Sequence, residues 1–369
     1  MILIATQCFA PDVGGIESLM TGLAGALNRR GHNLVVFADR RRDTARPEPA
    51  FPWPVKRFGG PRPWRRRAKA RSIHRLLRRA EVTHIICDSW KSLESLSPPA
   101  GLPVLCLVHG MEIPQNPSAG KRRRIETSLA KAATVVANSR YTADRVQPFL
   151  AENVFPRVIY PGVDAPDTPG EAVARKTEQR LAMYRPLLVS VARLERHKGQ
   201  DRVLQCLPGL LPDFPGLGYV CLGEGPARAS LESLARKLGI ADRVLMLGSA
   251  DAETRGAVLS QSDLFVLPGR GEGDRVEGFG IAFIEAAWQG LPAVAGATGG
   301  GAEAVEHGVT GLVCRGEDAD AVCTAIRELL SNDDSRRQLG KNAKERARRF
   351  SWDETVRRYE TLLGLSDTD

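Results

Sequence analysis

With 369 residues, 43% of them apolar and 26% charged, the chain can bury two hydrophobic cores, because single domains usually run ~100–200 residues. Its seven cysteines stand singly and in odd number, which argues against a disulfide framework and a cysteine-based zinc site, and no apolar run approaches the ~20 residues that cross a bilayer. The formal net charge of +9 is concentrated in the first half, in basic runs at 40–42, 65–79 and 121–124. No helix-turn-helix, zinc-finger or aromatic-rich RNA-binding signature accompanies it, so no nucleic-acid partner is expected.

Residues 1–6 enter a strand directly, without the basic segment and cleavage site of an export signal, and a reducing cytosol is the expected compartment. Strand-like apolar runs then alternate with helical stretches, the pattern of a parallel sheet covered on both faces. Strand 2–5 leads to a helix from Gly15 to the helix-stopping Gly31, and residues 33–38 form the second strand. The Pro- and Arg-rich stretch 40–63 reads as a loop. Residues 64–80 place apolar side chains at three- and four-residue steps among arginines, as in a basic amphipathic helix. Such a helix either packs its apolar stripe on the sheet and solvates its arginines, or lies on an anionic bilayer.

Further strands are expected at 84–87, 103–108 and 134–137. The segment 157–164 then leaves the first domain, and the polar, Pro-containing stretch to 185 reads as a linker. A second alternation follows, with strands at 187–192, 218–222, 243–247, 264–267, 292–295 and 311–314. Helices run from 318 to 349, and a last one follows the interruption at 350–352. Fold class is thus α/β, with two doubly wound Rossmann-like domains, 1–164 and 165–351. Open parallel sheets bind ligands beyond the carboxyl ends of their strands, and the segments singled out next all lie at such ends.

In Glu277-Gly278-Phe279-Gly280-Ile281-Ala282-Phe283-Ile284-Glu285, two carboxylates straddle a glycine turn that opens a helix. Carboxylates accept from vicinal hydroxyls, while the unpaired amides of Gly278 to Ile281 suit a pyrophosphate. Taken alone, the segment reads equally as a buried helix with a capping glutamate. Upstream, the strand 187–192 ends in Arg193 and Lys198, a planar fork and a compact charge able to neutralise a diphosphate from two sides. In the first half, Gly14-Gly15-Ile16-Glu17 follows the first strand and His109-Gly110-Met111-Glu112 follows a later one.

On these residues, in this order, nearly the whole chain resembles the retaining GT-B glycosyltransferases of family 4, including bacterial lipid mannosyltransferases. The resemblance implies two domains facing each other across a cleft, with helix 352–369 packing back on the first. It implies transfer of a hexose from a nucleoside diphosphate sugar to an acceptor hydroxyl, with retention. Glu285 would bind the ribose and Glu277 the hexose, Arg193 and Lys198 the leaving diphosphate, and the amides of Gly14 and Gly15 a phosphate. His109 would lie beside the sugar ring, Phe279, Gly280 and Ile281 would complete the pocket, and Gly223 and Leu247 would flank the base. His109, Glu277, Arg193 and Lys198 form the catalytic set.

No cofactor and no metal is implied, since no Asp-x-Asp cluster is present. The segment Asp274-Arg275-Val276-Glu277 favours GDP-mannose, with UDP-glucose and UDP-N-acetylglucosamine as alternatives. The expected partners are the nucleotide-sugar donor, a lipid-linked or saccharide acceptor, and an anionic membrane surface on the cytoplasmic side. Two other classes fit the sequence less well. A dinucleotide oxidoreductase could use Asp39 at the end of the second strand, but the turn after the first strand lacks G-x-G-x-x-G. A degenerate sugar-nucleotide-binding module would not need Glu277, Glu285, Arg193 and Lys198 together.

Overall fold

The computed structural model describes residues 1–40 and 49–365; Arg41 and Arg42 of the first basic run lie outside them. The chain forms two compact units, one of residues 1–162 with 352–369 and one of residues 163–351.

The first unit opens with β1 (Ile2–Ala5), α1 (Gly15–Arg29), β2 (Leu34–Asp39), β3 (Val55–Phe58) and α2 (Arg62–Leu77). It continues through β4 (His84–Cys87), α3 (Trp90–Leu93), β5 (Val104–Val108), α4 (Ala119–Leu129), β6 (Thr134–Ala137), α5 (Arg140–Val146) and β7 (Arg157–Val158). All seven strands are parallel, in the order β3-β2-β1-β4-β5-β6-β7. Alternate residues of β1 feed opposite cores, Leu3 and Ala5 one, Ile2 and Ile4 the other, as the two-residue period of a strand requires. A sheet buried on both faces explains why its central strands read as unbroken apolar runs.

Two segments differ from expectation. The stretch 40–63 contains β3, paired with β2 through Val36 and Val55. As an edge strand with no fully buried residue, it lacks the apolar signature. The basic helix is α2, and its apolar stripe faces inward: Ala70 and Ile73 are buried, and Leu76 and Leu77 pack against the same core.

The second unit carries α6 (Glu171–Leu181), β8 (Leu187–Val191), α7 (Gln200–Leu210), β9 (Gly218–Leu222), α8 (Arg228–Lys237), β10 (Val244–Gly248) and α9 (Ala252–Ser260). After these come β11 (Leu264–Leu267), α10 (Ile281–Trp288), β12 (Ala293–Gly296), α11 (Gly301–Ala304), β13 (Gly311–Cys314), α12 (Ala319–Ser331) and α13 (Asp333–Ala347). Its six strands are again parallel, ordered β10-β9-β8-β11-β12-β13. The stretch read as a linker holds α6, which buries only Thr177 and Leu181 and is otherwise mostly polar. Side chains of Asp251, Asp318 and Asn332 accept from first-turn amides of α9, α12 and α13, fixing where those helices begin.

The last helix, α14 (Trp352–Leu363), belongs to the first unit. Trp352, Val356, Tyr359 and Leu363 join the core formed by Leu19, Met20, Leu23 and Leu27 of α1. Gly22 and Gly162 leave the space that the Trp352 indole occupies. The buried Glu360 carboxylate receives Arg30 Nε at 3.0 Å and His32 Nε2 at 2.7 Å. Among the described residues no helix is long and apolar enough to cross a membrane.

Candidate active site

Each sheet has one place where the chain reverses its direction of travel across the strands: between β1 and β4 in the first unit, between β8 and β11 in the second. Adjacent loops diverge there to opposite sides, leaving a crevice at the carboxyl edge.

In the second unit, the loop after β8 carries Arg193, Glu195 and a single 3-10 turn, Arg196–Lys198. Gly199 follows at φ 82°, and a Cβ there would strike the carbonyl of Pro268 on the loop after β11. Only glycine lets the two loops lie together in this conformation. Their contact brings Lys198 Nζ to 2.6 Å from Glu277 Oε2, with about a sixth of each side chain exposed. Burial raises the Glu277 carboxyl, but the charge and hydrogen bond of Lys198, with the amide of Gly278, outweigh it and hold the group below its usual range. Glu277 is thus a preformed anion. Its carbonyl accepts from Gly300 N at 2.9 Å, which ties in the loop after β12.

Phe279 is buried against Phe350. Gly280, at φ 84°, is the N-cap of α10 and brings no side chain to its first-turn amides, while Ile281 begins the helix. Arg193 extends into solvent, 73% exposed, with its guanidinium 2.9 Å from Glu195. Glu285 stands one turn into α10, where Arg255 of α9 meets it at 3.1 Å. Gly223 N donates to Gly248 O at 2.8 Å, and Leu247 sits where the β9–β10 register slips, the extra residue of a bulge. The loops therefore gather Arg193, Lys198, Glu277, Gly278, Phe279, Gly280 and Ile281 at the crevice, with Glu285 farther along α10 and Gly223 and Leu247 at neighbouring strand ends.

In the first unit, Gly14 closes the loop after β1 and Gly15 opens α1; a Cβ on Gly14 would collide with the Glu17 carboxylate. His109 follows β5. Its Nε2 lies 2.8 Å from the Asp88 carbonyl, which can only accept, so Nε2 carries the proton. The His109 amide donates to Glu112 Oε1 at 2.6 Å. Asp88, 2% exposed, was not anticipated. Its carboxylate accepts from Thr6 Oγ1, Gln7 N, Ser89 Oγ and Ser92 Oγ, joining the loops after β1 and β4. Asp39, which a dinucleotide enzyme would offer to a ribose, is instead occupied by Lys69 Nζ at 2.7 Å and Arg65 Nε at 2.8 Å.

Arg255, Glu195 and Asp88 were missed for one reason: no motif or periodicity marks them, and their roles exist only through partners brought close by the fold. Among the described residues no three His, Cys, Asp or Glu side chains form a group able to hold a metal ion.

Two doubly wound units, with cations and ionised carboxylates at the switch point of the second, define a glycosyltransferase of the GT-B class. Residues 174–346 match the model for glycosyl transferases group 1, and residues 13–166 that for Glycosyltransferase Family 4. A GDP-mannose-dependent alpha-(1-6)-phosphatidylinositol monomannoside mannosyltransferase of Mycobacterium tuberculosis is 31% identical, over 98% of this chain and 95% of its own. A GDP-mannose-dependent monoacylated alpha-(1-6)-phosphatidylinositol monomannoside mannosyltransferase of Corynebacterium glutamicum is 26% identical, over 98% and 97%. Anabaena HepE, solved in complex with UDP, superposes with a TM-score of 0.80 over 98% and 99% of the two chains at 21% identity, a likeness of fold. The chain belongs to glycosyltransferase family 4, and it is a hexosyltransferase.

Proposed function

We propose that this chain transfers mannose from GDP-mannose to a hydroxyl of a phosphatidylinositol mannoside-type lipid, with retention and without a metal ion. The observation that carries the reading is the Lys198–Glu277 contact at the second unit's switch point. It sets a phosphate-binding cation beside an acceptor for sugar hydroxyls. The names of the mycobacterial and corynebacterial relatives support the donor and acceptor.

The bond from the anomeric carbon to the β-phosphate oxygen breaks, and GDP leaves with the electron pair. Lys198 and Arg193 stabilise that developing charge, the kind of preorganised contact whose loss costs roughly 3–4 kcal/mol. The acceptor oxygen bonds to the anomeric carbon on the face that GDP has left, and its proton passes to a phosphate oxygen of GDP. Glu277 accepts from hexose hydroxyls and Glu285 from the ribose diol. In the first unit, the amides of Gly14 and Gly15 are assigned to phosphate and the ring of His109 to the sugar.

To reach a lipid, the first unit is proposed to dock on anionic membrane through the outer face of α2. Trp64 is 69% exposed there, and Arg67, Arg71, Arg75, Arg78 and Arg79 are exposed around it. Arg65 and Arg66 pair instead with Asp39 and Glu94. Each exposed cation near such a surface contributes about 1 kcal/mol, so several act together.

The test supplies GDP-mannose, UDP-glucose and UDP-N-acetylglucosamine in turn, with phosphatidylinositol monomannoside in phosphatidylserine vesicles. Mass spectrometry is expected to find one added hexose from GDP-mannose, and NMR an α linkage. Transfer from a UDP sugar alone would overturn the donor, and a β linkage would overturn retention. Co-sedimentation with the same vesicles, but not with neutral ones, is expected to disappear when the five outer arginines become glutamine. Sedimentation that ignores lipid charge would remove the docking face.

A further inference from the structure

Glu285 has one charged neighbour acting on its titration among the described residues, Arg255. The pair closes at 3.1 Å, between a guanidinium nitrogen and Glu285 Oε1. Arg255 projects from α9, whose first turn is fixed by Asp251 accepting from Thr254 N at 2.8 Å. Glu285 projects from the second turn of α10. Both side chains stay about a quarter exposed, so a ligand can reach the pair.

We propose that Arg255 is a nucleoside-positioning residue: paired with Glu285 at 3.1 Å, it holds that carboxylate in place to accept from the ribose. The inference rests on the reading of Glu285 as the ribose carboxylate and adds the group that keeps it fit for that work. A vicinal diol needs a charged acceptor at a fixed angle. A half-buried carboxylate without a cation would take up a proton and lose part of that capacity. Burial does push the Glu285 carboxyl above its usual range, and Arg255 opposes the rise. Removing Arg255 therefore raises the carboxyl further. At a given pH less of Glu285 is ionised, and nucleotide affinity falls away at a higher pH than in the native chain.

The test compares the native chain with Arg255→Met and Arg255→Lys by calorimetry. The probes are GDP, UDP and inorganic pyrophosphate, the last carrying the phosphates without a ribose. Arg255→Met is expected to weaken the nucleoside diphosphate about tenfold, roughly the worth of one charge-assisted contact, and to leave pyrophosphate unchanged. The acid limb of the affinity profile moves to higher pH, and Arg255→Lys restores most of the affinity. Equal weakening of pyrophosphate, unchanged nucleotide affinity, or a profile that does not move would each overturn the proposal. Because GDP and UDP share the ribose, the experiment is read with whichever the native chain binds. Binding of UDP alone would remove the GDP-mannose reading while leaving the role of Arg255 decidable. Should Arg255→Met fail to fold, Arg255→Gln, uncharged and polar, makes the same comparison: a loss shared by nucleotide and pyrophosphate, or no loss of either, would overturn the assignment.

Discussion

The two switch-point crevices use charge in opposite ways. Around β1 and β4, the ionic groups are consumed by the protein itself. Asp88 is saturated by four donors, Asp39 holds Lys69 and Arg65, and His109 is pinned at its ring and its amide. Around β8 and β11, Arg270 and Asp201 form one bidentate pair, but Arg193 with Glu195, Lys198 with Glu277, and Arg255 with Glu285 are separate, partly exposed pairs. A saturated network fixes loop positions. Single ion pairs at partly exposed sites are worth little to stability and can exchange partners when a ligand brings its own charge. The first crevice is a frame, the second a set of exchangeable contacts.

The largest effect expected from that contrast is on turnover. Lys198→Ala should lower kcat by about 10²–10³-fold while moving the thermal midpoint little, with Arg193→Ala next in severity; single-turnover kinetics beside calorimetric melting separate the two quantities. Near-normal turnover in the double variant would show that the second crevice is not where charge leaves. The frame should fail in the other currency. Asp88→Ala strips the shared acceptor from Thr6, Gln7 and Ser92, and a buried network losing its anion should cost about 3 kcal/mol in denaturant unfolding. If its stability stays native, the frame description is wrong.

A smaller effect divides the two glutamates. Glu285→Ala should weaken bare GDP by the roughly 1.5–3 kcal/mol of a charge-assisted contact, whereas Glu277→Ala should bind bare GDP nearly as the native chain does and lose affinity for the sugar nucleotide. Equal losses on bare GDP would erase the distinction. The smallest effect lies outside both crevices. Burial raises the Glu360 carboxyl, but Arg30 and His32 pull it below its usual range. Its stabilisation is therefore present above the unfolded carboxyl value and is lost as pH falls through the folded one. With Arg30 a third exposed, about 1 kcal/mol is at stake. Glu360→Gln should be less stable than the native chain at neutral pH and converge with it well below about pH 4, as measured by unfolding across that range.

Most of this fold is legible in the sequence because doubly covered strands must be apolar along their whole length. The expected strands 2–5, 84–87, 134–137, 218–222, 264–267 and 311–314 coincide with those observed, and the other expected strands differ by one residue at one end or both. β3 is not legible, since an edge strand with no buried residue leaves no apolar mark, and α6 is obscured because its short apolar stripe of Val173, Ala174, Thr177 and Leu181 is set in a strongly polar stretch. Arg193 and Lys198 are legible as two cations between an apolar strand and the next helix, and Glu277 as one of two carboxylates that straddle a helix-opening glycine turn. Asp88 is not: its carboxylate serves Thr6, 82 positions away, and an acid after a strand says nothing about four donors that only the folded sheet assembles. Arg255 sits mid-helix with neither motif nor spacing, and its meaning comes wholly from the carboxylate it meets.

The return of α14 to the first unit has a consequence for how the chain is made. Residues 163–351 are contiguous and carry every side chain of their own core, so that unit can close as one uninterrupted stretch as synthesis proceeds at roughly 5–20 residues per second. The apolar face of α1, by contrast, waits for Trp352, Val356, Tyr359 and Leu363, the final residues of the core to be synthesised. A purified chain truncated after residue 351 is therefore expected to protect its second unit from protease while being cut within residues 1–162. Equal protection of both would mean that the first unit closes without its last helix. Until α14 docks, the apolar face of α1 stays open to water, and that surface is where a chaperone would bind.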